Sequence, residues 1–125
     1  MIVLDASAWL DSIESQSSEA LGDGQFFDPG HFDAEVLNGL RGLVRGGKLT
    51  HEDGTYWLRA LSHAPLLRVP VAELTAAAWP LAEAVSGYDA LYVALARRED
   101  LPLVTSDARL ARGAADLCEV RLLTA

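Results

Sequence analysis

Ser86-Gly-Tyr-Asp-Ala-Leu-Tyr-Val-Ala-Leu-Ala-Arg-Arg-Glu-Asp-Leu-Pro-Leu-Val-Thr-Ser-Asp-Ala-Arg-Leu-Ala111 decides the fold. Ser86 is placed to cap a helix whose inward face carries Leu91, Ala94 and Leu95. Leu101 to Thr105 follows as a short buried strand. Ser106-Asp107 then makes an acidic turn into a short helix, Ala108 to Ala115. One carboxylate, Asp89, stands at the head of the first helix. A second, Asp107, stands just past the end of the strand.

Outward from this stretch the same alternation repeats. Met1 to Leu4 is apolar and β-branched and ends at Asp5, as a buried parallel strand does. Ala6 to Leu10 starts a helix, with Asp5 or Ser7 at its cap. Glu14 to Gly24 reads as a helix end and loop. From Asp33 the period is helical: Val36, Leu37, Leu40, Leu43 and Val44 share one face, Glu35 lies in the first turn, and Gly46-Gly47 ends the run. Thr50 to Asp53 forms a capping box with Asp in place of Glu and opens a further helix, which His63-Ala64-Pro65 closes. Leu66 to Val71 is a strand. Glu73 to Val85 is Ala-rich and helical, divided by Pro80. Cys118 to Leu123 is a last, edge strand, with Cys118 buried in it.

Strands alternating with helices predict an α/β fold: one domain spanning residues 1–125, with a central, mainly parallel sheet of four or five strands and helices on both faces. A chain of 125 residues, half of them hydrophobic, can bury a sizeable core. No run of about 18 apolar residues is present, so no membrane span is expected. The N-terminus has neither a basic region nor an apolar core typical of a signal peptide. The lone Cys118 cannot form an internal disulfide. These features predict a cytoplasmic protein. The net charge of −8 argues against a broadly basic nucleic-acid surface, although cations would partly neutralise a site built from carboxylates.

In an open parallel sheet, the carboxyl ends of strands and the N-termini of the helices that follow share one rim. Asp5, Glu35, Asp89 and Asp107 all fall on that rim. Each has an ordinary reading by itself. Glu35 and Asp89 complement helix dipoles, and Asp107 makes a turn. Asp5 is harder to explain, because a charge directly after three apolar residues is costly to bury without a partner. Together the four repel one another unless a cation lies between them. Oxygen-only donors favour Mg²⁺ or Mn²⁺. Two such ions can activate a water, stabilise the leaving oxygen and clamp a phosphodiester between them. Ser7, Thr105 and Ser106 add oxygens that can orient ligands or hold water. Arg41, Arg45, Arg109 and Arg112 are the candidates for contacts to a substrate's backbone phosphates, or else solvated surface charges. Trp9 and Trp57 either stack on a base or partner, or belong to the core.

Four blocks carry a resemblance: Ile-Val-Leu-Asp-Ala-Ser-Ala at 2–8, Glu-Val-Leu-Asn-Gly-Leu-Arg at 35–41, Tyr-Asp-Ala-Leu-Tyr-Val-Ala-Leu-Ala at 88–96, and Leu-Val-Thr-Ser-Asp-Ala-Arg-Leu-Ala at 103–111. In this order they resemble the PIN-domain ribonucleases, most of all the VapC toxins of toxin–antitoxin pairs. The resemblance implies a PIN-like fold and a Mg²⁺- or Mn²⁺-dependent endoribonuclease. Asp5 and Asp89 would be central metal ligands, Glu35 a ligand or water-positioning group, and Asp107 the completion of the cluster. It further implies a homodimer and inhibition by a small VapB-like antitoxin. Trp79 to Val85 is apolar or acidic where the family commonly carries Arg, His or Asn. A housekeeping RNA-processing nuclease of the same fold, or a non-catalytic metal- or protein-binding module, are the alternatives.

Overall fold

The structure, a computed structural model, describes residues 1–15 and 25–123. The loop expected up to Gly24 therefore lies, from residue 16 onward, outside the described residues. The chain runs β1 (Ile2–Leu4), α1 (Ala6–Ser15), β2 (Phe26–Pro29), α2 (Phe32–Arg45), α3 (His51–His63), β3 (Leu66–Val69), α4 (Thr75–Ala78), α5 (Gly87–Glu99), β4 (Leu103–Thr105), α6 (Ala108–Ala114) and β5 (Val120–Leu122). Two 3₁₀ turns, Val71–Glu73 and Trp79–Glu83, flank α4. Pro80 sits in the first turn of the second, which is why the Ala-rich segment does not continue as one α-helix.

The five strands form one parallel sheet in the order β3-β2-β1-β4-β5. The chain first steps from β1 out through β2 to β3, then returns to add β4 and β5 on the other side. The order therefore reverses between β1 and β4, and a crevice opens there at the carboxyl ends of the strands. Right-handed crossovers in the two directions place the intervening helices on opposite faces. Accordingly α1 packs on α2 and α2 on α3, while α5 lies across β1, β2 and β4.

The centre is apolar. Val3, Leu4, Leu103 and Val104 of the two middle strands are fully buried. Every residue of α5 from Ala90 to Ala96 is buried, so this helix is enclosed rather than merely amphipathic. Asp100 closes it in the left-handed region, at φ 52°, a conformation Asp tolerates better than most residues. Thr50 and Asp53 form the reciprocal capping box at the head of α3.

Two sequence expectations change. β2 was not foreseen, because Phe26-Phe27-Asp28-Pro29 offers only two apolar residues followed by two turn formers. Yet Asp28 is fully buried and its Oδ1 accepts the Leu4 amide at 3.1 Å, adding a side-chain rung between β2 and β1. Cys118 lies half-buried in the turn before β5 rather than inside the strand. Close packing within the chain explains one helix glycine. A Cβ on Gly39 would run into Leu10 Cδ1 of α1, whereas one on Gly42 would meet open space.

Candidate active site

β1 delivers Asp5 to the crevice with only 4% of its surface exposed. A carboxylate can be held there because its oxygens are supplied with donors. Ser7 donates to Oδ1 at 2.7 Å and the Ala8 amide to the same oxygen at 3.0 Å, which also caps α1. Thr105, at the end of β4, donates to Oδ2 at 2.5 Å. Each hydroxyl in turn accepts an amide. Thr105 Oγ1 accepts the Asp107 amide at 3.0 Å, and Ser7 Oγ accepts the Ser106 amide at 3.1 Å. This directs both hydroxyl protons at Asp5. Burial nevertheless dominates, so the Asp5 carboxyl titrates above its ordinary value, with the neighbouring charge of Asp89 adding to the shift.

Asp107 is exposed and its Oδ1 accepts the Arg109 and Leu110 amides, capping α6. Its second oxygen faces no such donor among the described residues. Glu35, in the first turn of α2, is held by the buried Tyr92, whose hydroxyl donates to Oε1 at 2.7 Å. Asp89 lies in the first turn of α5, where Ser86 and not Asp89 performs the capping, with Ser86 Oγ accepting the Asp89 amide at 3.1 Å. The Asp89 carboxylate lines the crevice, with the Ser86 side chain as its hydrogen-bonding neighbour. Its pKa is raised by burial above all, which outweighs the Ser86 hydrogen bond, with the charges of Asp107 and Glu35 adding to the rise. Asp89 is therefore the hub, within electrostatic reach of the other three acids.

A groove of about 430 Å³ opens beside Asp89 and Asp107, lined also by Glu83, Ser86 and Arg109. Arg41 and Arg45 line a different groove with Leu37, Leu40 and Leu58, between α2 and α3. Arg112 is exposed on α6 and lines neither groove. Trp9 is buried and meets Trp57 edge-on at 6.2 Å, so this pair belongs to the core.

Two residues at the site were not singled out from sequence. Tyr92 lies one helical turn beyond Asp89, a spacing that puts both on one side of α5. His31 carries no spacing signal, yet its Nε2 reaches the Tyr88 carbonyl at 3.0 Å and Glu35 Oε1 at 3.6 Å.

Among the described residues no three acid, His or Cys side chains are already gathered to ligate one ion. The donor chemistry still fits a hard divalent cation: four carboxylates, no soft ligand among the described residues of the crevice, and a rise of Asp5 and Asp89 caused by burial with mutual repulsion added. Ser106 Oγ adds a buried oxygen without a hydrogen-bond partner at the end of β4.

A family model described as PIN domain matches residues 2–116. Ribonuclease VapC3 of Mycobacterium tuberculosis is 38% identical over 117 residues, covering 89% of this chain and 85% of its own. Ribonuclease VapC9 of the same species is 33% identical over 125 residues, covering 98% of both chains. Ribonuclease VapC1 is 35% identical over 128 residues, covering 97% of this chain and 96% of its own. The crystal structure of PAE2754 from Pyrobaculum aerophilum matches with a TM-score of 0.68 at 24% identity, covering 90% of this chain and 78% of that one. That likeness shows the fold.

Proposed function

Because this chain belongs to the PIN-domain family and is a ribonuclease of the VapC type, we propose that it hydrolyses RNA phosphodiester bonds at the crevice formed by Asp5, Glu35, Asp89 and Asp107. The observation that carries the reading is the position of Asp89, free of capping duty and within electrostatic reach of the other three acids. Asp5 and Asp89 would hold a Mg²⁺ or Mn²⁺ ion, with Glu35 and Asp107 beside it. Such an ion supplies a water nucleophile active at neutral pH and neutralises developing charge. The chain's own residues set the geometry. Ser7 and Thr105 fix the Asp5 carboxylate, and Tyr92 fixes Glu35 where it can orient a water or accept its proton. Arg109, lining the groove, is the candidate for a phosphate contact.

Purified protein with Mg²⁺ or Mn²⁺ should cut RNA, and Asp89→Asn should reduce the rate by a hundredfold or more, on the order of 3 kcal/mol in the barrier. Cleavage by Asp89→Asn at the wild-type rate would sink the mechanism. Cation binding should also appear without turnover, as a rise in thermal midpoint worth roughly 3 kcal/mol once the ion exceeds its dissociation constant about a hundredfold.

The proposal extends to a one-domain cytoplasmic toxin, homodimeric, inhibited by a small VapB-like antitoxin. The family resemblance supports this, and no helix among the described residues is long and apolar enough to cross a membrane. Expression alone should arrest growth, and a co-expressed neighbouring antitoxin should relieve the arrest. Unimpaired growth would favour a housekeeping nuclease.

A further inference from the structure

Tyr88 precedes Asp89 and is 69% exposed. One of its faces is backed: His31 lies nearly parallel to it, 24° between planes and 6.0 Å between centroids. His31 in turn packs on Tyr92 at 4.7 Å, and Tyr92 bonds to Glu35. The three rings thus form a column that starts in the core beside a site carboxylate and ends in solvent. It is braced at the middle, because the His31 side chain is only 12% exposed and its Nε2 meets the backbone oxygen of Tyr88 itself. Trp79 is more exposed, at 80%, but has no ring behind it among the described residues.

We infer that the outer face of Tyr88 is the platform on which an RNA base stacks, the base of a nucleotide next to the phosphate cleaved at Asp89. The inference rests on the ribonuclease reading of the site. Its physical basis is the shortage of positive charge. The chain carries a net charge of −8, and the groove at Asp89 and Asp107 offers one arginine against three acids. Beyond what a bound cation supplies, side-chain attraction to phosphates is therefore weak, and binding gains from a force independent of charge. Stacking on an aromatic ring is such a force, and it suits the splayed bases of single-stranded RNA. A ring already backed by His31 and Tyr92 gives up little freedom on binding.

The test measures binding of a fluorescent single-stranded oligoadenylate, and of the same backbone with abasic positions, with calcium replacing magnesium. Tyr88→Ala should weaken oligoadenylate binding about tenfold or more. Tyr88→Phe should bind like wild type, and all three proteins should bind the abasic strand equally. The inference is overturned if Tyr88→Ala binds oligoadenylate as wild type does, if it loses the abasic strand to the same extent, or if wild type binds no oligoadenylate. RNA cleavage in magnesium is scored separately. A protein that passes the stacking test but cuts no RNA overturns the ribonuclease reading, whereas one that cuts RNA but fails the stacking test overturns only the platform.

Discussion

Thr105 donates its hydroxyl proton to Asp5 Oδ2 at 2.5 Å and accepts the Asp107 amide at 3.0 Å, so one side chain ties the end of β1 to the end of β4 and to the head of α6. Thr105→Val keeps the shape and removes both bonds, leaving a buried carboxylate oxygen and an amide without partners. Stability should fall by about 1–3 kcal/mol, read from urea unfolding. Thr105→Ser should recover most of the loss. Equal stability of the Val variant and wild type would show the bridge to be unimportant.

The hydroxyl of Tyr92 makes a second, separable contribution. Tyr92→Phe leaves the ring column in place and removes only the donor to Glu35. Partners that orient a metal-site carboxylate contribute roughly ten- to a hundredfold. The rate of RNA cleavage at saturating substrate should drop by about that factor, while the affinity for oligoadenylate stays at the wild-type value. A fall in affinity with the rate unchanged would contradict the assignment.

Asp28 gives a pH dependence whose sign follows from burial. Its Oδ2 has no hydrogen-bond partner, and removal from water holds its pKa well above the ordinary value. The folded protein therefore binds this proton more tightly than the unfolded chain does. The resulting cost is absent below the unfolded value of about 4 and grows as pH rises through the folded value. Asp28→Asn can still accept the Leu4 amide and carries no charge. It should be more stable than wild type at neutral pH, by about 1 kcal/mol or more. The advantage should shrink toward zero as the pH falls to about 4, followed by thermal melts across the range. An advantage independent of pH would contradict a buried ionising group.

The α2 glycines should respond to different extents. Gly42→Ala adds a methyl group to open space and should stabilise the protein by up to about 1 kcal/mol. Gly39→Ala must displace the end of the half-buried Leu10 side chain, so its gain should be smaller than that of Gly42→Ala. Identical shifts in the two variants would refute the close α1–α2 approach.

The alternation of apolar strands and capped helices made the parallel α/β architecture legible in the chain, and with it the placing of Asp5, Glu35, Asp89 and Asp107 on one rim. These depend on local signals: the Ile2–Leu4 run, the Thr50–Asp53 box and Ser86 before α5. β2 escaped because its buried positions, Asp28 and Pro29, look like a turn, and only the strands on either side make them a strand. The partnership of Tyr92 with Glu35 spans 57 residues and the contact of His31 with Tyr88 also spans 57, so no local pattern reveals either. The arginines illustrate the same limit. Arg41 and Arg45 share a helix with Glu35, yet helical rise carries them roughly 9 and 15 Å from it, into the groove against α3.

β1 lies between β2 and β4, and its carboxylate is anchored by a residue 100 positions later in the chain. A ribosome therefore makes Asp5 100 residues before its anchor. Until β4 exists, the central strand has one open edge and Asp5 lacks the Thr105 donor. Contacts so distant in sequence also form late in folding. A nascent chain that lacks β4 therefore holds Asp5 in a half-built crevice, without the donor that fixes its carboxylate.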